Sequence, residues 1–241
     1  MAEGGRILAT VLQELRKGVR PGITTKALDR TAFDLIRGAG CKSAFLGYQP
    51  NGADKPYSAT LCASVNDGVV HGLPSARLLE EGDVLKLDLG LIHKGWYLDS
   101  AITVPVGRVS KDIAMLIAAT EEALTRGIEQ AKAGATVGDI GYAVERYVKH
   151  KKFSVVEALT GHGIGHRLHE DPNVFNVGRP GRGIDLKEGM VIAIEPMVAM
   201  GSARVKQLPD DSFVTADGSL AAHFEHTVAI TKSGPRILTK L

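Results

Sequence analysis

Residues 85–100 read LKLDLGLIHKGWYLDS, two apolar and β-prone runs separated by the turn-like sequence HKG. This pattern predicts a β-hairpin whose arms each carry one carboxylate, Asp88 on the first and Asp99 on the second. A hairpin that is symmetric about residues 93 and 94 places these acids directly opposite each other, where like charges destabilise a sheet. A divalent cation bound between them would offset the repulsion, and a surface hairpin with two solvated acids is the alternative.

Composition places few limits on function. The chain has 241 residues, of which 44% are apolar, so it can bury a sizeable core, and its formal net charge of +2 does not call for a nucleic-acid or membrane partner. Two cysteines, Cys41 and Cys62, are too few for a disulfide framework. Residues 1–18 lack the uninterrupted apolar run of a signal peptide, and no run has the ~18–20 residues of a membrane span. We therefore expect a cytoplasmic protein.

Apolar spacing and turn signals predict both helices and strands. We expect helices at about 1–18, from a Thr24 or Thr25 cap to 37, at 110–132, and from a capping box at Thr136 and Asp139 to 151. Strands are expected at about 59–65, 69–71, 84–106, 155–158, 189–199, 203–208 and 222–231. Residues 45–58, rich in Gly, Pro and Asn, are expected to form a loop.

The sequence also repeats itself. PGIT (21–24) matches AGAT (133–136), EGDVLKLD (81–88) matches EGMVIAIE (188–195), and YLDSAITV (97–104) matches HFEHTVAI (223–230). These matches align Asp88 with Glu195 and Asp99 with Glu225, whereas chance similarity between strands would explain only one of them. We interpret the chain as one α+β domain, residues 1–241, with pseudo-repeats of about 1–109 and 110–241 around a pseudo-twofold axis. Four carboxylates then lie on its central strands.

Four converging carboxylates need a metal, because an unpaired buried charge costs several kcal/mol. His162 is a fifth candidate ligand, since the glycines flanking it in GHGIGHRLHEDP (161–172) allow close backbone approach. Four acids and one imidazole satisfy two divalent ions that share bridging ligands, and such a ligand set fits Mn, Co, Fe or Zn. Paired ions activate water and polarise a carbonyl, so the implied chemistry is hydrolysis.

Seven separated motifs carry a family resemblance: HGLP (71–74), KLDLG (86–90), LDS (98–100), GHGIG (161–165), HED (169–171), IEPM (194–197) and FEHT (224–227). Along nearly its whole length, the chain resembles the type I methionine aminopeptidases of the M24 metallopeptidase family. The resemblance implies the duplicated pita-bread fold, a curved antiparallel sheet with helices on its outer face. It also implies removal of N-terminal methionine from nascent proteins and peptides by metal-activated hydroxide. We expect a monomer, and a transient contact with the ribosome stays open.

The resemblance implies roles for the five candidate ligands. Asp88 chelates one metal ion, Asp99 and Glu225 bridge both ions, and His162 with Glu195 holds the other. Glu195 also resembles the glutamate that shuttles a proton in this family.

The resemblance further implies a catalytic pair and a substrate pocket. His71 and His169 correspond to the histidines that contact the scissile amide and stabilise the tetrahedral intermediate. His166 and His223 lie next to site residues in sequence and are candidates for supporting contacts. The pocket for the methionine side chain is expected to contain Cys62, Tyr48, Tyr57, Leu168 and Phe213. Cys62 would act there as a small apolar wall, and a core cysteine is its alternative.

The chain departs from the family pattern around this pocket. The loop at 49–56 is longer than usual, Leu168 stands where an aromatic residue often precedes the second histidine, and Phe213 replaces the usual Trp before FEHT. Changes of this size discriminate between side chains by only ~1–3 kcal/mol, so we expect selectivity for methionine to be broader.

Three other functions are compatible with parts of the pattern. An Xaa-Pro aminopeptidase or dipeptidase shares the fold and the ligands, but HGLP and IEPM favour methionine removal, and those enzymes generally carry an extra N-terminal domain. A creatinase-like hydrolase would act on a non-peptide amide. A non-catalytic binding relative would have lost ligands, whereas all five are present.

Overall fold

A computed structural model describes residues 1–49 and 54–241. Helices α1 to α4 span Ala2–Gly18, Thr25–Gly38, Lys111–Gln130 and Val137–His150. Strands β1 to β15 span Lys42–Ser43, Leu61–Val65, Gly68–Val70, Val84–His93, Trp96–Pro105, Ser154–Val155, Thr160–Gly163, Glu170–Phe175, Val191–Ile194, Met197–Ala199, Val205–Gln207, Phe213–Thr215, Ala221–His223, Glu225–Thr231 and Gly234–Ile237. Among the described residues, none of the helices combines the length and the apolar character needed to cross a membrane. Part of the long loop expected at 49–56 lies outside the described residues.

The helices begin where the sequence predicts them. The Thr24 side chain accepts a hydrogen bond from the backbone N–H of Ala27 at 3.1 Å, so Thr24 rather than Thr25 caps α2. At α4, Oδ2 of Asp139 accepts from the backbone N–H of Thr136 at 2.8 Å, which confirms the predicted capping box. Both contacts satisfy backbone N–H groups that a helix terminus otherwise leaves unpaired.

The strands form one large antiparallel sheet and two small ones. The large sheet has nine strands in the order β1-β4-β5-β14-β9-β7-β8, with β2 beside β4 and β15 beside β14. The small sheets have the orders β13-β10-β6 and β11-β12-β3. The N-terminal and C-terminal parts of the chain therefore meet where β5 pairs with β14, at the centre of the large sheet.

Alternation along the strands separates the core from a second, polar face. On β4, Leu85, Leu87, Leu89 and Leu91 have no exposed surface and lie in one core cluster with residues of α1 and α2. Successive side chains of a strand point to opposite faces, so Asp88 emerges on the face that these helices leave open.

The same alternation holds in the C-terminal part. Ile192 and Ile194 on β9, with Val228 and Ile230 on β14, lie in a core cluster with residues of α3 and α4. Glu225 therefore emerges on the open face as well. The helices cover one face of the sheet, and the acids gather on the other.

The hairpin of β4 and β5 forms, but its predicted register is wrong. Asp88 pairs with Ala101 and Asp99 pairs with Gly90, so the two acids are diagonal neighbours instead of direct partners. The turn lies one residue later than predicted because Lys94 and Gly95 both have positive φ, 51° and 82°, as a two-residue hairpin turn of type I′ requires. The partners shift by two residues, and both carboxylates remain on one face.

The alignment of the two repeats needs a similar correction. In the C-terminal half, Ile194 pairs with His226 and Met197 pairs with His223, so the register is the same on both sides of Glu195. This register places Glu195 opposite Glu225, whereas Asp88 stands opposite Ala101. Glu225 and Ala101 also pair directly across β14 and β5, which is compatible with a pseudo-twofold axis between them. The predicted alignment of Asp99 with Glu225 is therefore wrong by two residues.

Two predicted strands are interrupted near the acids, and one of them, expected at 222–231, is divided into β13 and β14 at Phe224. The strand expected at 189–199 is divided into β9 and β10, and Glu195 with Pro196 lies in the break rather than on a central strand as predicted. Proline cannot donate a hydrogen bond to a neighbouring strand, which explains the interruption.

Five strands were not predicted: β1, β7, β8, β12 and β15. Among them is the glycine-rich strand β7 that carries His162.

Candidate active site

The sheet brings the five predicted metal ligands together. Asp99 on β5, His162 on β7 and Glu225 on β14 are buried, and each offers a ligand atom within 4.8 Å of the other two. The Nε2 atom of His162 lies 3.6 Å from Oε1 of Glu195. Asp88 completes the group from β4, where it interacts electrostatically with Glu195 and contacts the side chain of Asp99.

The electrostatics of this cluster fit a bound cation. Burial, with repulsion from the neighbouring acids, raises the pKa of Asp88 to about 7 and the pKa values of Asp99 and Glu225 well above the ordinary range. Burial also raises the pKa of Glu195 to about 7. Among the described residues, Oδ1 of Asp88 and Oε1 of Glu225 are buried without a hydrogen-bond partner. A divalent cation supplies both the missing partner and the missing charge, and oxygen donors with one imidazole suit such an ion.

Hydrogen bonds fix β5 against β14 beside the acids. The Thr227 hydroxyl donates to the backbone carbonyl of Asp99 at 2.7 Å and accepts from the backbone N–H of Asp99 at 3.0 Å. The Ser100 hydroxyl donates to the backbone carbonyl of Glu225 at 2.7 Å. Rigid strands thus hold the carboxylates, although the sequence motifs alone did not identify Thr227 or Ser100 as supports.

The His162 ring is oriented by its own strand. Its Nδ1 lies 2.9 Å from the backbone carbonyl of Gly163, and donation to that carbonyl leaves Nε2 as the free nitrogen. Nε2 is the atom that faces Glu195. An imidazole whose other nitrogen is held by a backbone carbonyl is a metal ligand of the usual kind.

The two predicted catalytic histidines face the same cavity from different elements. His169 follows β7, its ring centroid is 4.4 Å from that of His162, and the Tyr48 hydroxyl lies 2.7 Å from its Nδ1. Desolvation at the cavity wall, followed by the unfavourable electrostatic influence of the neighbouring His162 and His71, lowers the pKa of His169 to about 3, so its ring is neutral. His71 follows β3 with a φ of 60°, a conformation uncommon outside glycine, and its ring contacts that of Phe213.

An apolar pocket adjoins the acids. Cys62 pairs directly with Asp88 across β2 and β4, so the thiol and the carboxylate share a face. Leu168, Tyr48 and Tyr57 pack in the same cluster as Cys62. Phe213, in contrast, packs in a different cluster, next to β3.

All twelve predicted site residues line one cavity of about 710 Å³. The Tyr57 hydroxyl lies 3.1 Å from both the Leu61 and the Gly72 backbone carbonyls, so its single hydrogen is directed at the scaffold. Sequence reasoning missed Phe45 and Ile164 in the apolar cluster, because loop residues show no periodicity that would mark them.

The two flanking histidines differ in placement. The ring of His166 stacks on Trp96 at the tip of the hairpin, with centroids 4.0 Å apart, and it is exposed. His223 is buried, and its Nε2 lies 3.5 Å from Oε2 of Glu195.

Known proteins resemble the chain over its whole length. Residues 1–232 match the model of metallopeptidase family M24. The chain is 46% identical over 242 residues to methionine aminopeptidase 1 of Bacillus subtilis, a match that covers 100% of this chain and 95% of that relative. The solved methionine aminopeptidase of Thermotoga maritima has a TM-score of 0.96 at 39% identity, covering 100% of this chain and 95% of the other.

A prolidase from Pyrococcus furiosus shows a more distant likeness, with a TM-score of 0.76 at 23% identity, covering 100% of this chain and 63% of the prolidase. That likeness is one of fold alone. The chain belongs to the methionine aminopeptidases of metallopeptidase family M24 and has their pita-bread fold, as the motifs implied.

Proposed function

We propose that this protein hydrolyses the first peptide bond of polypeptides that begin with methionine. One observation carries the proposal: the buried carboxylates and the apolar pocket share a single cavity, with Cys62 directly beside Asp88. A scissile carbonyl can therefore lie at the acids while the first side chain enters the pocket. The relatives named methionine aminopeptidase support this choice of substrate.

We further propose that the site holds two divalent cations. Asp88 would bind one, His162 and Glu195 the other, and Asp99 with Glu225 would bridge them. When bound, such ions neutralise the carboxylates, polarise the scissile carbonyl and activate water. Cobalt, manganese, iron and zinc all suit this donor set.

Glu195 is placed to move a proton. Its side chain is 12% exposed, more than that of the buried Glu225, so one oxygen can reach a water molecule in the cavity. We propose that it takes a proton from the attacking water and delivers it to the leaving amine.

The two histidines are placed to stabilise the developing oxyanion. Burial raises the pKa of the Tyr48 phenol, so its hydroxyl keeps its proton and can donate to Nδ1 of His169. Nε2 of His169 then carries the hydrogen that is donated toward the substrate. His71 lines the same cavity from a different element, after β3, and its ring contacts that of Phe213. Donors fixed in this way stabilise negative charge without reorganising.

The pocket suits an unbranched, polarisable side chain. Cys62, Leu168 and Phe45 supply small and apolar surface, and Tyr57 meets Phe45 edge to face. A methionine thioether makes favourable contacts with such aromatic edges. Because Leu168 is smaller than an aromatic residue, we propose that leucine or norleucine is also accepted, at a lower rate.

A second space of about 540 Å³ adjoins the first and shares His71, Asp88, His162, His169 and Glu195 with it. We propose that the polypeptide continues through this second space. Polypeptide N-termini, including nascent ones, are thus the proposed partners, and cytoplasmic action is proposed on the basis of the two unbridged cysteines. A monomeric state and a ribosome contact stay predictions.

A peptide scan on metal-free and reconstituted protein tests this function. We expect cleavage of Met-Ala-Ser only after addition of Co(II) or Mn(II), with Met-Lys-Ser poorer and Ala-Pro-Ser uncleaved. Full activity after thorough chelation contradicts the metal proposal. A preference for Ala-Pro-Ser supports the Xaa-Pro alternative instead.

A further inference from the structure

His223 is a buried histidine that none of the roles above uses. It ends β13, two positions before Glu225, and its side chain is 1% exposed. The Thr103 hydroxyl accepts from the backbone N–H of His223 at 2.9 Å and donates to its carbonyl at 2.7 Å. These bonds fix the backbone, so the ring has little freedom to turn away from the open face of the sheet.

Neither ring nitrogen of His223 has a hydrogen-bond partner among the described residues. Buried polar atoms in folded proteins are nearly always paired, so an unpaired imidazole in a core calls for a nearby partner. Oε2 of Glu195 lies 3.5 Å from Nε2, and Asp88 and Lys86 also act on the ring electrostatically. This separation is just beyond a hydrogen bond, and bonds of catalytic groups are often long before ligands bind.

Glu195 therefore lies between two imidazoles. His162 faces Oε1 at 3.6 Å, and His223 faces Oε2 at 3.5 Å. His162 lines the cavity and His223 does not, so the two rings approach the carboxylate from different environments. One oxygen is left for the cation and the substrate, and the other is turned toward the protein.

We propose that His223 is a positioning residue that donates a hydrogen bond from Nε2 to Oε2 of Glu195 and so keeps Oε1 directed at the cation beside His162. The inference rests on the proposed function, because it assumes the ligand role of Glu195. Residues that orient metal ligands in this way typically change metal affinity or activity by about 10–100-fold when they are replaced.

Cobalt binding tests the assignment independently of turnover. Metal-free wild type, His223→Leu and His223→Gln are titrated with Co(II), and affinity is followed by calorimetry together with the visible absorption of the bound ion. We expect His223→Leu to weaken Co(II) binding about 10–100-fold and to alter the spectrum. His223→Gln should restore most of both, because its amide can donate to Oε2. His226→Gln is the matched control, since His226 lies on the neighbouring strand, points to the other face and bonds Thr239.

Two outcomes overturn the proposal. Unchanged Co(II) binding in His223→Leu means that the ring only fills space. Equal damage in Gln and Leu variants, with a weaker absorption, means that His223 is itself a ligand. If His223→Leu does not fold by near-ultraviolet circular dichroism, His223→Asn, whose amide is too short to reach Oε2, replaces it. Wild type that binds Co(II) but does not cleave Met-Ala-Ser contradicts the proposed function and leaves this test intact.

In Co(II)-loaded protein that is active, kcat and KM add a second readout. A positioning role predicts that His223→Leu lowers kcat for Met-Ala-Ser and leaves KM nearly unchanged, because Glu195 acts on the reacting atoms and not on the methionine side chain.

Discussion

The two halves of the chain differ in the connection between their paired strands. In the N-terminal half, β4 and β5 are joined by the two-residue turn Lys94–Gly95. In the C-terminal half, the corresponding connection between β10 and β13 is residues 200–220, which carry β11 and β12. Strand β12 pairs with β3 and brings Phe213 against His71. The short turn makes a rigid pair of carboxylates, and the long connection makes a wall of the cavity.

The helical parts of the two halves are alike in detail. Gly22 and Gly134 have φ values of 84° and 88°, and their N–H groups donate to the backbone carbonyls of Leu79 and Leu186. Thr24 and Thr136 follow, and each forms an isolated bridge, to Leu78 and Asp185 respectively. We propose, on this basis, that the pseudo-repeats 1–109 and 110–241 arose by duplication and that their loops diverged later.

Each half of the chain also supplies an aromatic residue that contacts a histidine of the other half. Tyr48 from the N-terminal half bonds His169, and Phe213 from the C-terminal half contacts His71. The active site therefore depends on both halves being in place.

The largest expected effect comes from removing one acid from either half. Asp99→Asn and Glu225→Gln should each lower activity by at least about 100-fold, because the cation loses a charged ligand and even a residue that only supports a ligand typically contributes about 10–100-fold. Each should also stabilise the metal-free protein by about 1–3 kcal/mol, since a buried repulsion disappears. Steady-state cleavage of Met-Ala-Ser measures the loss of activity, and thermal unfolding with and without Co(II) measures the change in stability and the effect of the cation on Tm. A variant that keeps the full metal-dependent rise in Tm would show that its half does not contribute to the cation site.

The crossed contacts should separate kcat from KM. Tyr48→Phe keeps the ring but removes the bond to Nδ1 of His169, so we expect kcat to fall about five- to tenfold. Phe213→Leu loses only an edge-to-face contact with His71, and a rise in KM of about threefold is expected. Steady-state kinetics on Met-Ala-Ser measures both. Equal effects on kcat would indicate that the two contacts act in the same way.

The duplicated turns should respond equally to substitution. Gly22→Ala and Gly134→Ala place a side chain at positive φ with open space around it, so each should cost about 1–2 kcal/mol in the free energy of unfolding from backbone strain alone. Urea unfolding measures the loss. Gly38→Ala is the control, because Gly38 has no positive φ and its surroundings are also open. A loss confined to one of the two turns would weaken the proposed equivalence.

The smallest expected effect is a change in the pKa values of two exposed acids, Glu3 and Asp217. The hydrogen bond from Lys94, then that from His93, lowers the pKa of Glu3 to about 2. Backbone N–H of Ser202, then the Ser219 side chain, lowers the pKa of Asp217 to about 2. Because folding lowers both pKa values, their contributions to stability are present above about pH 4.5 and are lost as pH falls through about 2.

Salt should affect these two acids differently. An exposed ion pair is screened by added salt, so NMR titration in 1 M NaCl should move the pKa of Glu3 back toward its ordinary value. Asp217 is held by backbone and hydroxyl donors and should keep its low pKa. A parallel shift of both would contradict the different causes assigned to them.

Local patterns in the sequence were enough for the elements that carry the acids. Alternating leucines placed Asp88 on a strand. The sequence repeat pointed to Glu195 through its match with Asp88, and to Glu225 although its match with Asp99 is displaced by two residues. The register was not predictable from alternation, because every even shift preserves it and the turn is decided by the φ values of Lys94 and Gly95.

The remaining contacts of the site could not be predicted, because they depend on pairing between strands that are far apart in sequence. Phe213 reaches His71 only because β12 pairs with β3, which are far apart in sequence. The unpaired ring of His223 beside Glu195 becomes visible only when β13 is placed next to β10. Such contacts depend on the closed sheet. The sequence marked Phe213 and His223 as candidates near the site, but it gave no sign of the side chains that each would meet.

The stack of Trp96 on His166 gives the protein its own optical probe. Trp96 is the only tryptophan of the chain, and the backbone N–H of the next residue, Tyr97, donates to the carbonyl of Gly165 at 2.9 Å. The indole therefore reports on the segment that leads to His169. Its emission should change if that segment moves when a peptide enters the cavity, so substrate binding can be followed by fluorescence without a label.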